Sequence, residues 1–229
     1  MRVTGVDACR RGWVAVSLAG PGRAQSGGVR VHAVRVHPSL AGVLEGDGAS
    51  VVGIDMPLGL LESGWREADR AARGLLGPRR SSVFAIPPRT VWEQASYQAA
   101  SQRCRELTGQ GLSVQAWGLR ARLLEADRYR GGCPHPLYEV HPELAFRAMA
   151  GAPLAFSKHT PAGRELRREL LSRAGIELPP ARAPRAPVTD TLDAAAVACS
   201  AWRIATGRAV VIPARPQQDD RGLQIAIRY

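Results

Sequence analysis

The chain has 229 residues, 45% of them apolar and 22% charged; that length fits one large domain or one domain with an embedded insertion, and the composition excludes a mainly disordered or collagen-like protein. Its 31 Lys and Arg against 20 Asp and Glu give a net charge of +11, which favours polyanions such as nucleic acid or an anionic membrane face. Arginine supplies nearly all of that surplus, Lys158 being the single lysine, so the bias is equally what a GC-rich coding sequence produces. No apolar run is long enough to span a bilayer, and Asp7 and two arginines interrupt the N-terminal stretch MRVTGVDACRRGW, so the expectation is a cytoplasmic protein without leader or anchor. Four scattered cysteines lack a C-x-x-C pair, which argues for reduced thiols, with Cys9 and Cys199 as packing residues.

In chain order, RVTGVD (2–7) and WVAVSL (13–18) are short, β-branched and apolar, and the CRRG between them predicts a hairpin with Gly12 taking an awkward backbone angle. A third, half-exposed strand fits 29–37. One or two helical turns fit 39–45, and SVVGID (50–55) is a continuous apolar run of the kind buried on both faces of a parallel sheet. The order is β-β-β-α-β. From 62 to 130 the pattern is mainly helical, interrupted at GPRRSSVFAIPPR (77–89), where glycine and prolines forbid regular helix. A helix is expected at 114–130 with Val114, Trp117, Leu119, Leu123 and Ala126 inside. GGCPHP ends it, LYEVH (137–141) reads as a short strand, and Pro142 opens a helix through Ala150. A basic amphipathic helix covers 164–174 and stops at Gly175. The prolines of 177–187 favour an extended connector. An alanine-rich helix follows over 190–206, and the alternating tail LQIAIRY reads as an edge strand.

Two of these strands share one design. VTGVD (3–7) and VVGID (51–55) both place Gly two residues before a terminal Asp. An Asp at the carboxyl end of a buried parallel strand faces the crevice where open α/β sheets bind ligands. Two such carboxylates on neighbouring strands repel unless a cation or proton lies between them. Glu139 in LYEVHPE and the pair Asp190 and Asp193 at the head of the last helix complete a set of acids at element ends. Converging carboxylates are the hard-oxygen environment that Mg²⁺ or Mn²⁺ prefers, and two such ions about 4 Å apart can drive phosphodiester hydrolysis.

Each acid also has a structural explanation. Asp7 and Asp55 could bond turn amides. Asp190 and Asp193 have the spacing of a reciprocal N-cap. Glu143, early in its helix, competes with Glu139 for the site. Arg79, Arg80, Ser81 and Ser82 form a donor cluster suited to phosphate oxygens or, equally, a solvated loop. TGQGLSVQ (108–115) lacks the lysine and serine or threonine of a phosphate loop. Lys158 in SKHT is the one place where a compact, titratable amine stands instead of a guanidinium. His141 is a ligand, an acid-base group or a satisfied strand histidine.

The blocks GVDACRRGWVAV, GIDMPLGL, ADRAAR, GPRRSSVF, TGQGLSVQ, YEVHPELAF, GAPLAFSKHT and DTLDA together resemble the prokaryotic domain-of-unknown-function family four hundred and twenty-nine, described as predicted nucleases with a ribonuclease H-like fold. The resemblance spans nearly the whole chain. It implies an α/β fold with a mixed five-stranded sheet, three antiparallel strands followed by two parallel ones, flanked by helices and carrying a helical insertion at approximately 60–132 within a single domain. By position it implies that Asp7, Asp55, Glu139 and Asp190 or Asp193 form the acidic cluster, with Asp7, Asp55, Glu139 and Asp190 as the expected ligands for Mg²⁺ or Mn²⁺; Lys158, the lone lysine, in a loop between two helices and within the block SKHT, is expected to be a further catalytic group. Arg10, Arg79, Arg80, Ser81, Ser82, Gln115 and His141 are the expected substrate-binding residues. Ala8 departs from the glycine common after the first Asp, and Thr189 stands where relatives often show the first of two aspartates, which leaves the fourth acid open. The expected function is a metal-dependent nuclease acting on DNA or RNA. The alternatives are a noncatalytic nucleic-acid-binding module and a nucleotide-dependent phosphotransferase of the actin-like group, for whose two-copy architecture 229 residues is too short.

Overall fold

A computed structural model describes residues 1–21, 28–46, 48–133, 135–179 and 186–229. In chain order the elements are β1 (Arg2–Cys9), β2 (Gly12–Ala19), β3 (Arg30–His37), α1 (Leu40–Gly46), β4 (Val51–Asp55), α2 (Glu67–Leu76), a 3₁₀ turn (Gly77–Ser82), α3 (Arg89–Trp92), α4 (Tyr97–Thr108), α5 (Val114–Gly118), α6 (Arg120–Tyr129), β5 (Leu137–Glu139), α7 (Pro142–Ala150), α8 (Pro161–Arg173), α9 (Val188–Ala205), β6 (Val211–Gln218) and β7 (Gln224–Arg228). They divide into two compact units, one of residues 1–56, 133–210 and 228–229, the other of 57–132 and 211–227.

The first unit carries a five-stranded sheet in the order β3-β2-β1-β4-β5. β1 pairs antiparallel with β2, and β2 with β3. β4 runs parallel to β1, and β5 parallel to β4. The sheet thus has three antiparallel strands followed by two parallel ones, as the family resemblance led us to expect. β1, β2 and β4 are buried along almost their whole length, whereas β3 at the edge is only partly covered.

Helix α9 lies against β1, β2 and β4, and the two glycines of the shared strand design explain how closely. A Cβ on Gly5 would sit 2.0 Å from the backbone nitrogen of Ala198 and 2.3 Å from the carbonyl oxygen of Ala194; a Cβ on Gly53 would meet Val197 at 3.0 Å. Glycine beneath and alanine above let backbone approach backbone. Val3, Val14, Val16, Leu18 and Val51 complete the sheet side of this core, and Phe146 of α7 with Leu170 and Leu171 of α8 continue it. Cys9 and Cys199 pack against the same core, and all four cysteines are free.

The second unit holds the helices from α2 to α6 and the two-stranded sheet of β6 with β7. A charge network secures it. Arg130 donates to Asp219 at 2.5 Å and to the Gln224 carbonyl at 2.6 Å, while Asp127 accepts from Arg89 at 2.9 Å and from Arg221 at 2.7 Å.

Two expectations need correction, and one strand, β6, is not foreseen by the sequence. The helix expected at 114–130 is two helices meeting at Leu119, and Val114 is 62% exposed instead of inside; Ser113 accepts from the Ala116 amide and starts a separate short helix. The tail strand is paired by β6, which Pro213 and Pro216 disguise in the sequence, because proline lacks the N–H of a ladder donor and reads as a break. The helix expected at 164–174 begins earlier, at Pro161, because the Thr160 hydroxyl caps it by accepting from the Gly163 amide at 3.0 Å. Part of the 177–187 connector and of GGCPHP lies outside the described residues.

Candidate functional site

Parallel pairing puts Asp7 directly beside Asp55 and Gly5 beside Gly53. Registered neighbours share a face and alternate residues share a face, so both aspartates lie on the side that α9 covers. Ala194 and Ala198 sit over Gly5. One turn further toward its N-terminus, α9 therefore carries Asp190 and Asp193 toward the carboxyl end of β1. Asp193 is buried, Asp7 is buried, and Asp55 and Asp190 are partly so.

The electrostatics follow from that crowding. Burial raises the Asp7 carboxyl well above its ordinary range, and the charges of Asp55, Asp193 and Asp190 raise it further while Lys158 opposes them. Burial and then Asp193 push Asp55 up to about 7, against the favourable influence of Lys158 and of a hydrogen bond with Asp7. Asp193 and Asp190 are also raised, first by burial. The balancing cation is Lys158, whose Nζ donates to Asp193 Oδ2 at 2.6 Å. Its ammonium is held charged to unusually high pH by Asp193, Asp55 and Asp7, which outweigh the cost of its own burial.

The capping explanation for Asp190 and Asp193 does not hold. Pro187 is the N-cap of α9, and no side chain caps it. Asp190 instead accepts from the Thr189 hydroxyl at 3.0 Å.

Glu139 is placed differently from the other acids. It registers with Ile54, one residue off the Asp55 position, so it occupies the opposite face of the sheet. Its charge acts on Arg228, which lies over the Tyr138 ring. Glu143 stands on α7, which packs against α9, and its charge raises both Asp55 and Asp193. It is buried on α7 and hydrogen-bonded by the fully buried Arg167 of α8. Sequence reasoning named Glu143 only as a competitor and missed Arg167. The available signal was position: Gly163, Arg167, Leu170 and Leu171 recur at helical spacing, which puts one arginine inside the apolar stripe of α8.

His141 is half-buried and is the N-cap residue of α7. Arg10 is exposed in the turn between β1 and β2. Arg79, Arg80, Ser81, Ser82 and Gln115 belong to the second unit: Arg80, both serines and Gln115 are exposed, and Arg79 is half-buried on the 3₁₀ turn, where its carbonyl accepts from the Ser82 hydroxyl.

Whether these residues suit a hard divalent cation can be judged from their unpaired oxygens. Asp193 Oδ1 and Glu143 Oε2 are buried and have no hydrogen-bond partner among the described residues, and a buried carboxylate oxygen without a donor is costly unless a cation approaches it. Among the described residues no three His, Cys, Asp or Glu side chains already stand in a ligating arrangement. The donor chemistry fits such an ion, with Lys158 serving as the local cation.

The family model described as "Protein of unknown function (DUF429)" matches residues 5–218. Among solved structures, RuvC of Thermus thermophilus is similar, with 16% identity, a TM-score of 0.43, and coverage of 91% of this chain and 98% of that one. No curated protein matches. Among the described residues, no helix is long and apolar enough to cross a membrane.

Proposed function

This chain belongs to the DUF429 family, and we propose that it is a metal-dependent nuclease that hydrolyses phosphodiester bonds in nucleic acid. The observation that carries the reading is the register of Asp7 against Asp55 on adjacent parallel strands, with Asp193 and Lys158 brought to the same cluster. Four raised carboxyls crowded around one amine are a poor arrangement for stability alone and a good one for holding divalent ions. Asp7, Asp55 and Asp193 would hold Mg²⁺ or Mn²⁺, with Asp190 at the rim. When bound, such ions supply Lewis-acid activation of water and stabilisation of the leaving oxygen. The chain's own residues do the rest: an aspartate takes the proton of the attacking water, and Lys158 neutralises the phosphate being cleaved. Arg10 in the first unit and, separately, Arg79, Arg80, Ser81, Ser82 and Gln115 in the second are proposed phosphate contacts.

The test is a cleavage panel over DNA and RNA with Mg²⁺ or Mn²⁺. The parent should cleave, chelator and Asp7→Asn should abolish cleavage, and Lys158→Arg should bind substrate but lose most activity, because a guanidinium keeps the charge and not the geometry. Cleavage that survives in Asp7→Asn overturns the mechanism; an inactive parent that still binds oligonucleotide favours the noncatalytic binding module.

A further inference from the structure

Beyond the aspartates, the first unit buries a carboxylate and a guanidinium together, Glu143 of α7 and Arg167 of α8. Glu143 is 8% exposed and Arg167 only 1%. Arg167 Nη2 donates to Glu143 Oε1. Its Nη1 donates to the Gly163 carbonyl at 2.9 Å and to the Phe156 carbonyl at 3.2 Å. The guanidinium also lies over the Phe146 ring, 5.2 Å from its centroid. One planar cation thus ties α7, α8 and the loop that carries Lys158 two residues after Phe156.

Only one oxygen of Glu143 is used in this way. Oε2 is buried and has no hydrogen-bond partner among the described residues, and the same holds for Asp193 Oδ1. α7 packs on α9, the helix that bears Asp193. Arg167 Nε is likewise buried without a hydrogen-bond partner among the described residues, so the pair is held through Nη2 and Oε1 alone, and the carboxylate oxygen left without a donor is one that a cation would stabilise. An arginine that fixes one oxygen of a carboxylate while leaving the other to a cation is how outer partners orient metal ligands.

We propose that Glu143 is a carboxylate ligand of the divalent-ion site and that Arg167 is its positioning residue, setting both the Glu143 carboxylate and the Lys158 loop. The inference rests on the nuclease reading only in requiring that a divalent ion bind at the aspartates. It replaces Glu139, which lies on the far face of the sheet.

The test measures Mn²⁺ binding by calorimetry alongside thermal unfolding, in the parent, Glu143→Gln, Arg167→Met, the double variant of these two, and Glu139→Gln. Glu143→Gln should weaken Mn²⁺ binding by more than about tenfold, the loss typical of removing even an outer partner of a ligand, and Glu139→Gln should bind as the parent does. Arg167→Met should unfold at a lower temperature, having stranded a buried carboxylate, and the double variant should recover much of that loss while still binding Mn²⁺ weakly. A purely structural pair predicts recovery of both. Parental Mn²⁺ affinity in the double variant, or in Glu143→Gln if the double variant does not fold, overturns this inference alone. A parent that binds no Mn²⁺ overturns the metal-site reading and this inference with it.

Discussion

Asp55 shows how a single side chain carries the tension of the site. Its carboxyl is pushed up to about 7, mainly by burial and by the charge of Asp193. Below its ordinary value of 3.8, folded and unfolded chains both keep the proton, and its contribution to stability is complete. As pH rises from there to about 7 the unfolded chain releases the proton and the native chain retains it, so stability falls, by at most about 1.4 kcal/mol per pH unit. Asp55→Asn removes that penalty. Thermal unfolding should show the variant melting higher than the parent at pH 8, by about 2–8 °C if 1–2 kcal/mol is recovered, with the advantage vanishing near pH 4. An advantage that is the same at both pH values would mean that Asp55 ionises normally. Lys158 limits the penalty for the whole group: its contact with Asp193 is one-third exposed at the lysine end and closed at the other, so solvent screens the amine while the carboxylate depends on it.

At the level of elements, the site depends on how closely α9 can approach the sheet. Gly5 meets backbone atoms of α9, which no rotamer change can move, whereas the nearest atom to a Cβ on Gly53 belongs to the Val197 side chain. Gly5→Ala should therefore cost at or beyond the upper end of the usual overpacking range of about 1–3 kcal/mol, and Gly53→Ala should fall at its lower end. Urea denaturation of the two variants checks the order, and equal losses would show that α9 yields as a rigid body. Lifting α9 also carries Asp190 and Asp193 away from Asp7. The glycines that look like strand defects are thus what assembles the acids.

For the whole molecule, the relevant property is its excess of arginine. A net charge of +11, with Arg10 and Arg80 exposed, should make binding of a nonspecific oligonucleotide fall steeply with salt. Each neutralised phosphate contributes about −0.7 to −0.9 to the slope of log K against log salt, so four contacts would give a slope near −3. A titration by fluorescence anisotropy at several salt concentrations measures it. No binding even at low salt would remove nucleic acid as the partner and direct attention to a small phosphorylated substrate. Much of the arginine is already committed internally: Arg89, Arg130 and Arg221 neutralise Asp127, Asp219 and Asp220 in the second unit, and Arg167 neutralises Glu143 in the first.

The sequence alone determined the order β-β-β-α-β and the pairing of a glycine with a terminal aspartate on two strands, because side-chain alternation and the spacing of Gly5 to Asp7 and Gly53 to Asp55 are local and readable along the chain. It also singled out Lys158. Only the tertiary structure decided which acids meet. Glu139 and Glu143 are four residues apart and chemically almost alike, yet a one-residue register offset sends Glu139 to the opposite face while α7, packed against α9, carries Glu143 to where its charge raises Asp55 and Asp193. Arg167 has the composition of a solvent-facing helix residue and is buried because α8 packs that side inward. Strand register and helix docking are set by contacts between residues distant in sequence, so the partners of a charge cannot be read from the chain that carries it.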